Sequence, residues 1–204
     1  MIPTARVSIV NVGYRSTNFW VVSQGTSRLM VDLGWPGTIG TMRTNLDRMD
    51  VPLSEIRHGL ATHYHLDHAG LAQDLKLRGM RLLVPDVQRE LLPRIVDHVK
   101  PTDGFSPITT HDNVYFPLSQ SREVLAGIGI NGDIVHTPGH SDDSVSLLLD
   151  DGSVFTGDLT HPLLATEDTL ETVTASWKSL IDRGATTVYP GHGAIRALSR
   201  HPTE

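Results

Sequence analysis

Cysteine is missing from all 204 residues, which excludes disulfides, thiolate metal sites and a cysteine nucleophile. No apolar run approaches the roughly 18 residues that a membrane-spanning helix needs. The stretch Met1 to Asn11 also lacks a basic segment followed by an apolar one, so a cytoplasmic protein without a membrane span is expected. Positive charge is in short supply, with 17 Lys and Arg against 23 Asp and Glu and a net charge of −6. A general basic footprint for nucleic acid is therefore absent. The expected partner is a small-molecule substrate, with no nucleic acid, and the chain is expected to be a monomer or homodimer. No linker, composition break or tandem repeat interrupts the chain, so a single domain over residues 1–204 is expected.

The 18 glycines and 12 prolines imply many turns between short strands. Val7–Val12, Phe19–Val22 and Arg28–Asp32 read as strands on their β-branched and aromatic content. Ile39, Met42, Leu46 and Met49 define one face of a helix. Ile56–Thr62 reads as a strand, Ala69–Arg78 as a helix closed by Gly79, and Arg81–Val84 as a strand. Pro85 is expected to open another helix, toward Val96. The pattern then lapses from His98 to Asn113.

Strands resume at Val114–Pro117, Glu123–Leu125, Asp133–Thr137, Val145–Leu149 and Ser153–Thr156, the last two joined by the hairpin signal Asp150-Asp151-Gly152. Thr169–Arg183 reads as a helix ending at Gly184, and Thr187–Tyr189 as a final strand. The order implies one layered α+β domain, with helices covering sheets.

Eleven histidines are distributed unevenly. His63-Tyr64-His65-Leu66-Asp67-His68 follows a strand directly. Two histidines one residue apart can converge on one ion, and Asp67 and His68 then address a second position nearby. Imidazole with carboxylate suits zinc, iron or manganese. Three later segments repeat the arrangement: Thr137-Pro138-Gly139-His140, Gly157-Asp158 and Tyr189-Pro190-Gly191-His192-Gly193. Each sets a ligand-type residue just past a strand and beside glycine, where a sheet scaffold holds ligands rigidly.

With these residues in view, the chain resembles the metallo-β-lactamase superfamily. The family's His-X-His-X-Asp-His motif matches His63 to His68, and its later ligands correspond to His140, Asp158 and His192. Val31-Asp32-Leu33-Gly34 is similar to the family's Asp-X-Gly turn. The resemblance runs from about Asn18 to Gly193 and implies a four-layer αβ/βα sandwich with metals at one edge, between the sheets. Carried over by position, it implies a first ion on His63, His65 and His140. A second ion falls to Asp67, His68 and His192, with Asp158 bridging the two. Two divalent ions are expected, zinc first, with iron or manganese as alternatives.

Two ions about 3.5–4 Å apart can hold a hydroxide at neutral pH and polarise the bond it attacks. Asp67 is the candidate catalytic residue, as orienter or proton carrier, and Asp32 the candidate partner that fixes a histidine tautomer. His161, Tyr14 and Phe105 are candidate substrate contacts, Phe105 because the irregular segment 98–113 is read as either a lid or a linker. Arg15 and Trp35 sit on loops that can face the pocket, with packing the expected role for Trp35. His136 is expected to point away from His140. His58, His98, His111 and His201 are read as surface or packing residues.

Departures from the subgroups prune the chemistry. A cysteine ligand is absent, and Asp158 argues against the cysteine-free β-lactamases. Asp158-Leu159-Thr160-His161 does not match the Gly-Arg-X-Asp-Phe that glyoxalase II carries after its bridging aspartate. Hydrolysis of an ester, lactone or thioester of a small molecule is the expected activity. The alternatives are a phosphodiesterase or phosphotriesterase, and a mononuclear iron sulfur dioxygenase using His63, His140 and Asp158.

Overall fold

The computed structural model describes residues 6–198. Strands β1 (Val7–Asn11), β2 (Trp20–Gln24) and β3 (Ser27–Val31) form an antiparallel meander. Helix α1 (Ile39–Arg48) returns the chain to β4 (His58–Leu60), which lies parallel to β3. After α2 (Leu66–Ala69) and α3 (Ala72–Lys76), strands β5 (Arg81–Pro85) and β6 (Val114–Phe116) extend the sheet in parallel, in the order β1 to β6. Helix α4 (Ser121–Gly127) leads into the second sheet. That sheet contains β7 (Gly132–His136), β8 (Val145–Leu149) and β9 (Ser153–Gly157). Helix α5 (Glu167–Asp182) then connects to β10 (Thr187–Pro190) and β11 (Arg196–Ala197), giving the order β11-β10-β9-β8-β7.

The alternation of side chains along the strands produces the layers. Trp20, Val22, Leu29 and Val31 pack with Ile134, Val145, Leu147 and Phe155, which makes the core between the sheets. Their neighbours Val21 and Met30 face the other way, onto Met42 and Leu46 of α1 and Leu75 of α3. In the second sheet Leu148 and Val154 also turn outward, onto Val173, Trp177 and Leu180 of α5. Three cores separate four layers, helix, sheet, sheet and helix, as the resemblance implied.

Several elements differ from the sequence reading. Glu123–Leu125 lies inside α4 rather than in a strand. A run of two apolar residues does not set a period, and burial of Leu125 beside the partly buried Val124 and Ile128 fits a helical face. The stretch opened by Pro85 forms only 3-10 turns, Asp86–Gln88 and Leu92–His98, because Pro93 withholds a donor and favours a restart. The helix read as Ala69–Arg78 begins earlier, at Leu66, and is broken around Gly70 and Leu71. Strand β11 was not expected. His201, and the side chain of His98, lie outside the described residues.

Candidate metal centre

Five of the strands end at one edge of the molecule, and every ligand candidate lies just past a strand end. His63 and His65 follow β4, with Asp67 and His68 in the first turn of α2. His140 occupies the turn between β7 and β8, while Asp158 follows β9 and His192 follows β10. Because β9 and β10 are parallel neighbours, Asp158 and His192 emerge side by side. The parallel pairing of Val31 with Leu60 does the same for Asp32 and Thr62. A Cβ on Gly191 would stand 2.5 Å from Asp158 Oδ1 and 2.6 Å from His68 Cε1, so only glycine lets this loop close over the site.

The seven candidates converge. Ligand atoms of His63, His65 and His140 form one group, and those of Asp67, His68 and His192 another; a third joins His63, His68 and Asp158. His140 Nε2 stands 3.1 Å from His65 Nδ1 and 3.7 Å from Asp158 Oδ2. His192 Nε2 lies 3.2 Å from Asp67 Oδ2 and 3.3 Å from Asp158 Oδ2, and His68 Nε2 lies 3.3 Å from both Asp67 Oδ2 and Asp158 Oδ1. Tetrahedral ligands at about 2.1 Å from an ion are about 3.4 Å from one another, which is the spacing seen. His63 Nε2, His68 Nε2 and Asp158 Oδ1 are buried without a hydrogen-bond partner. Polar atoms in that condition are costly unless an ion satisfies them. Donor set, spacing and orphaned atoms all fit divalent metal.

The histidine tautomers are set from behind. Asp32 accepts from Thr62 N at 2.8 Å and from Thr62 Oγ1 at 2.9 Å, and its Oδ2 accepts from His68 Nδ1 at 2.8 Å. These three bonds hold Asp32 at φ +61, a left-handed conformation that aspartate tolerates better than most residues. The single Thr62 hydroxyl proton goes to Asp32, so His63 Nδ1, 3.2 Å from Thr62 Oγ1, must be the donor there. That leaves Nε2 of His63 as a free base. His192 Nδ1 donates to Ser16 O at 2.6 Å, again turning Nε2 inward.

Charge is sorted accordingly. His63 is held well below the ordinary imidazole value by burial and by the neighbouring His68, His65 and His140. Burial also lowers His140, only partly offset by Asp158. His68 goes the other way: although burial disfavours its charge, the Asp32 carboxylate, with Asp158 and Asp67, pushes it up to about 12. Asp67 is drawn down to about 2, since contact with His68 outweighs the upward effect of burial.

Other residues singled out in the sequence have local partners. Tyr14 gives its hydroxyl to a 2.5 Å bond with Thr38 Oγ1 and packs its ring edge-on against Phe19. His161 Nδ1 accepts from Leu163 N at 3.3 Å and caps a 3-10 turn, and it makes no hydrogen bond or ion pair to the ligand cluster. Phe105 packs with Ile108 against the first core, where the aromatic of a linker belongs. Thr109 beyond it is tied to Gln73 at 2.9 Å. His136 points outward and meets Asp142 O at 2.8 Å. Trp35 is structural but close to the site: its Nε1 donates to Thr17 Oγ1 at 3.2 Å, and Thr17 Oγ1 donates to Asp67 Oδ2 at 3.2 Å. Arg15 lies over the same Trp35 ring. Thr17 was missed in the sequence, as were Thr62, Gln88 and Asp143, because nothing local marks them. Beside His65 and His140 a groove of about 410 Å³ opens, walled by Tyr64, Leu91, Arg94 and Ile95.

The family model of the metallo-beta-lactamase superfamily matches residues 12–192. The chain belongs to that superfamily. Among relatives of this superfamily member, an atrochrysone carboxyl ACP thioesterase of Claviceps purpurea is 32% identical over 189 residues, covering 90% of this chain and 53% of its own length. A lactamase-like protein of Pestalotiopsis microspora is 30% identical over 186 residues, covering 89% and 50% respectively. The chain thus spans about half the length of these curated relatives. A solved metallo-beta-lactamase family protein of Thermus thermophilus shares the fold at a TM-score of 0.69 and 20% identity, covering 98% of this chain and 76% of that one. Among the described residues no helix is long and apolar enough to cross a membrane.

Proposed function

We propose that this chain is a metal-dependent hydrolase of thioesters or related esters of small molecules, with two divalent ions on the seven converged residues. The observation that carries the reading is the pair of three-residue ligand groups, each within reach of Asp158. Thioester chemistry is favoured by the relatives named as carboxyl ACP thioesterases. His63, His65 and His140 would hold one ion, Asp67, His68 and His192 the other, and Asp158 both. When bound, such ions acidify water and polarise a scissile carbonyl.

The chain's own residues do the rest. The groove beside His65 and His140 seats the acyl portion against Leu91 and Ile95. Asp67, anchored by Thr17 and ionised throughout the neutral range, accepts a hydrogen bond from the attacking water and can relay its proton to the leaving group as negative charge builds there. Asp32 and Thr62 hold the imidazoles in the tautomers that face inward.

The test is a side-by-side hydrolysis panel of thioesters, esters, lactones and phosphodiesters on metal-loaded protein, with elemental analysis of the same sample. We expect near two ions per chain, thioester turnover above that of phosphodiesters, and a loss of about 10²-fold in Asp67→Asn. One ion per chain at saturating metal, or phosphodiesters as the preferred class, would sink the reading.

A further inference from the structure

Gln88 has no place in the ligand set, yet it is completely buried beside it. Its Nε2 stands within hydrogen-bond distance of three backbone carbonyls, Ala61 O at 3.1 Å, Thr62 O at 3.2 Å and Asp143 O at 3.2 Å, so that one of its two protons is shared between two of them. Only an NH₂ group can face three carbonyls, so the amide orientation is fixed by its surroundings. Two of these carbonyls immediately precede His63. The third belongs to the turn that carries His140. The side chain of Asp143 makes a second link between the same two loops, accepting from Tyr64 N at 3.1 Å and from Ser141 Oγ at 2.7 Å. Tyr64 lies between His63 and His65, and Ser141 follows His140. A third link is Val145 N donating to Thr62 O at 2.8 Å.

His63 and His65 come from the end of a strand in the first sheet, whereas His140 comes from a turn in the second. No element runs continuously between them. Their rings nevertheless pack at 4.7 to 4.8 Å between centroids. The Gln88 and Asp143 contacts bridge the loops on the buried side of that trio, while Asp32 grips His68 on the other half of the site.

We propose that Gln88, together with Asp143, is a positioning residue for the trihistidine half of the centre: it fixes the distance between the His63–His65 loop and the His140 turn, and so sets the affinity of that half for its ion. The inference rests on the metal-binding reading above, and it gives each half of the site its own main support. Gln88 acts on the three histidines, whereas Asp32 grips His68 directly and reaches His63 only through Thr62. Gln88 touches neither substrate nor reacting atoms and works through backbone carbonyls alone.

The experiment uses Gln88→Met, which keeps the length and bulk of the side chain but has no donor, and Asp143→Asn as an independent probe of the same bridge. Zinc is titrated into the chelator-treated 204-residue chain against a competing chromophoric chelator, giving stepwise binding constants, and the thermal midpoint of the metal-free protein is measured alongside. Gln88→Met should weaken one constant by about 10- to 100-fold, the range for partners behind metal ligands. It should leave the other constant within about threefold and the metal-free midpoint nearly unchanged. Asp143→Asn should weaken the same step, whereas Asp32→Asn should weaken chiefly the step that involves His68, which it bonds directly. Unchanged constants in both Gln88→Met and Asp143→Asn overturn the proposal. So does an equal loss in both steps that tracks a fall in the metal-free midpoint, which is the signature of general support for the fold. If the unaltered protein binds a single zinc, the metal count proposed above is wrong, and the effect of Gln88→Met on that one constant still decides the clamp.

Discussion

His68 shows how much a single residue's surroundings decide. It is fully buried, with Asp32 on one ring nitrogen and Asp67 and Asp158 facing the other. In the metal-free protein these carboxylates raise it to about 12, so it carries a proton throughout the neutral range. An ion that takes Nε2 must displace that proton, so metal affinity increases as pH rises toward the folded value. One proton corresponds to about a tenfold gain per pH unit. Competition titrations between about pH 6 and 9 should show that slope, and a shallower one in Asp32→Asn, where the chief source of the raised value is gone. Affinity that is flat with pH would show that no proton leaves His68 when the ion binds. His63 contributes nothing to the slope, since its burial and its imidazole neighbours already keep it neutral.

At the scale of elements, the segment between β5 and β6 matters most. It holds 3-10 turns, with Gly104 at φ +67, and it is fastened along its length. Lys76 Nζ donates to Thr109 O at 2.5 Å, Gln73 accepts from Thr109 N, and Phe105 packs on the first core. A lid would leave its aromatic free for substrate, and this one is occupied. Phe105→Ala should therefore cost about 1–3 kcal/mol in denaturant unfolding, below the cost for a fully buried aromatic. KM should change by the same factor for short and long acyl chains. A selective rise in KM for long chains at unchanged stability would restore the lid.

Across the whole molecule, the centre is a seam between two sheets. The first sheet and the helical turn after it supply His63, His65, Asp67 and His68; the second supplies His140, Asp158 and His192. The N-terminal loop crosses the seam as well, with Asn18 Nδ2 donating to Pro190 O and Gly193 O at 3.0 and 2.9 Å and Trp20 Nε1 donating to Pro190 O at 3.1 Å. Ions held at such a seam would prefer the folded chain and stabilise it by mass action. At a thousandfold excess over Kd the gain is about 4 kcal/mol for each ion, or roughly 8–16 °C in Tm per ion at 2–4 °C per kcal/mol. Calorimetry with and without chelator should show one cooperative transition that moves by that order. A midpoint indifferent to chelation would mean that the two sheets are held together without metal.

The residue types of the site were legible in the chain because their signals are local. Imidazoles and carboxylates at short spacing, each after a β-rich run and beside glycine, need no distant partner to be recognised, and β-branched and aromatic runs announce strands, although that Val21 and Met30 bury on one face and Val22 and Leu29 on the other emerges only from the fold. The tertiary structure decided what depends on neighbours far away. Gln88 reads as an ordinary polar residue until Asp143, 55 positions on, supplies its third carbonyl. Thr62 becomes a proton donor to Asp32 only when β3 and β4 lie parallel, and Glu123–Leu125 is too short for its period to be read without the sheet it packs on. A buried hydrogen-bonding group takes its meaning from whichever strand ends the fold brings to it, and that pairing is set by the packing of two sheets rather than by any stretch of sequence.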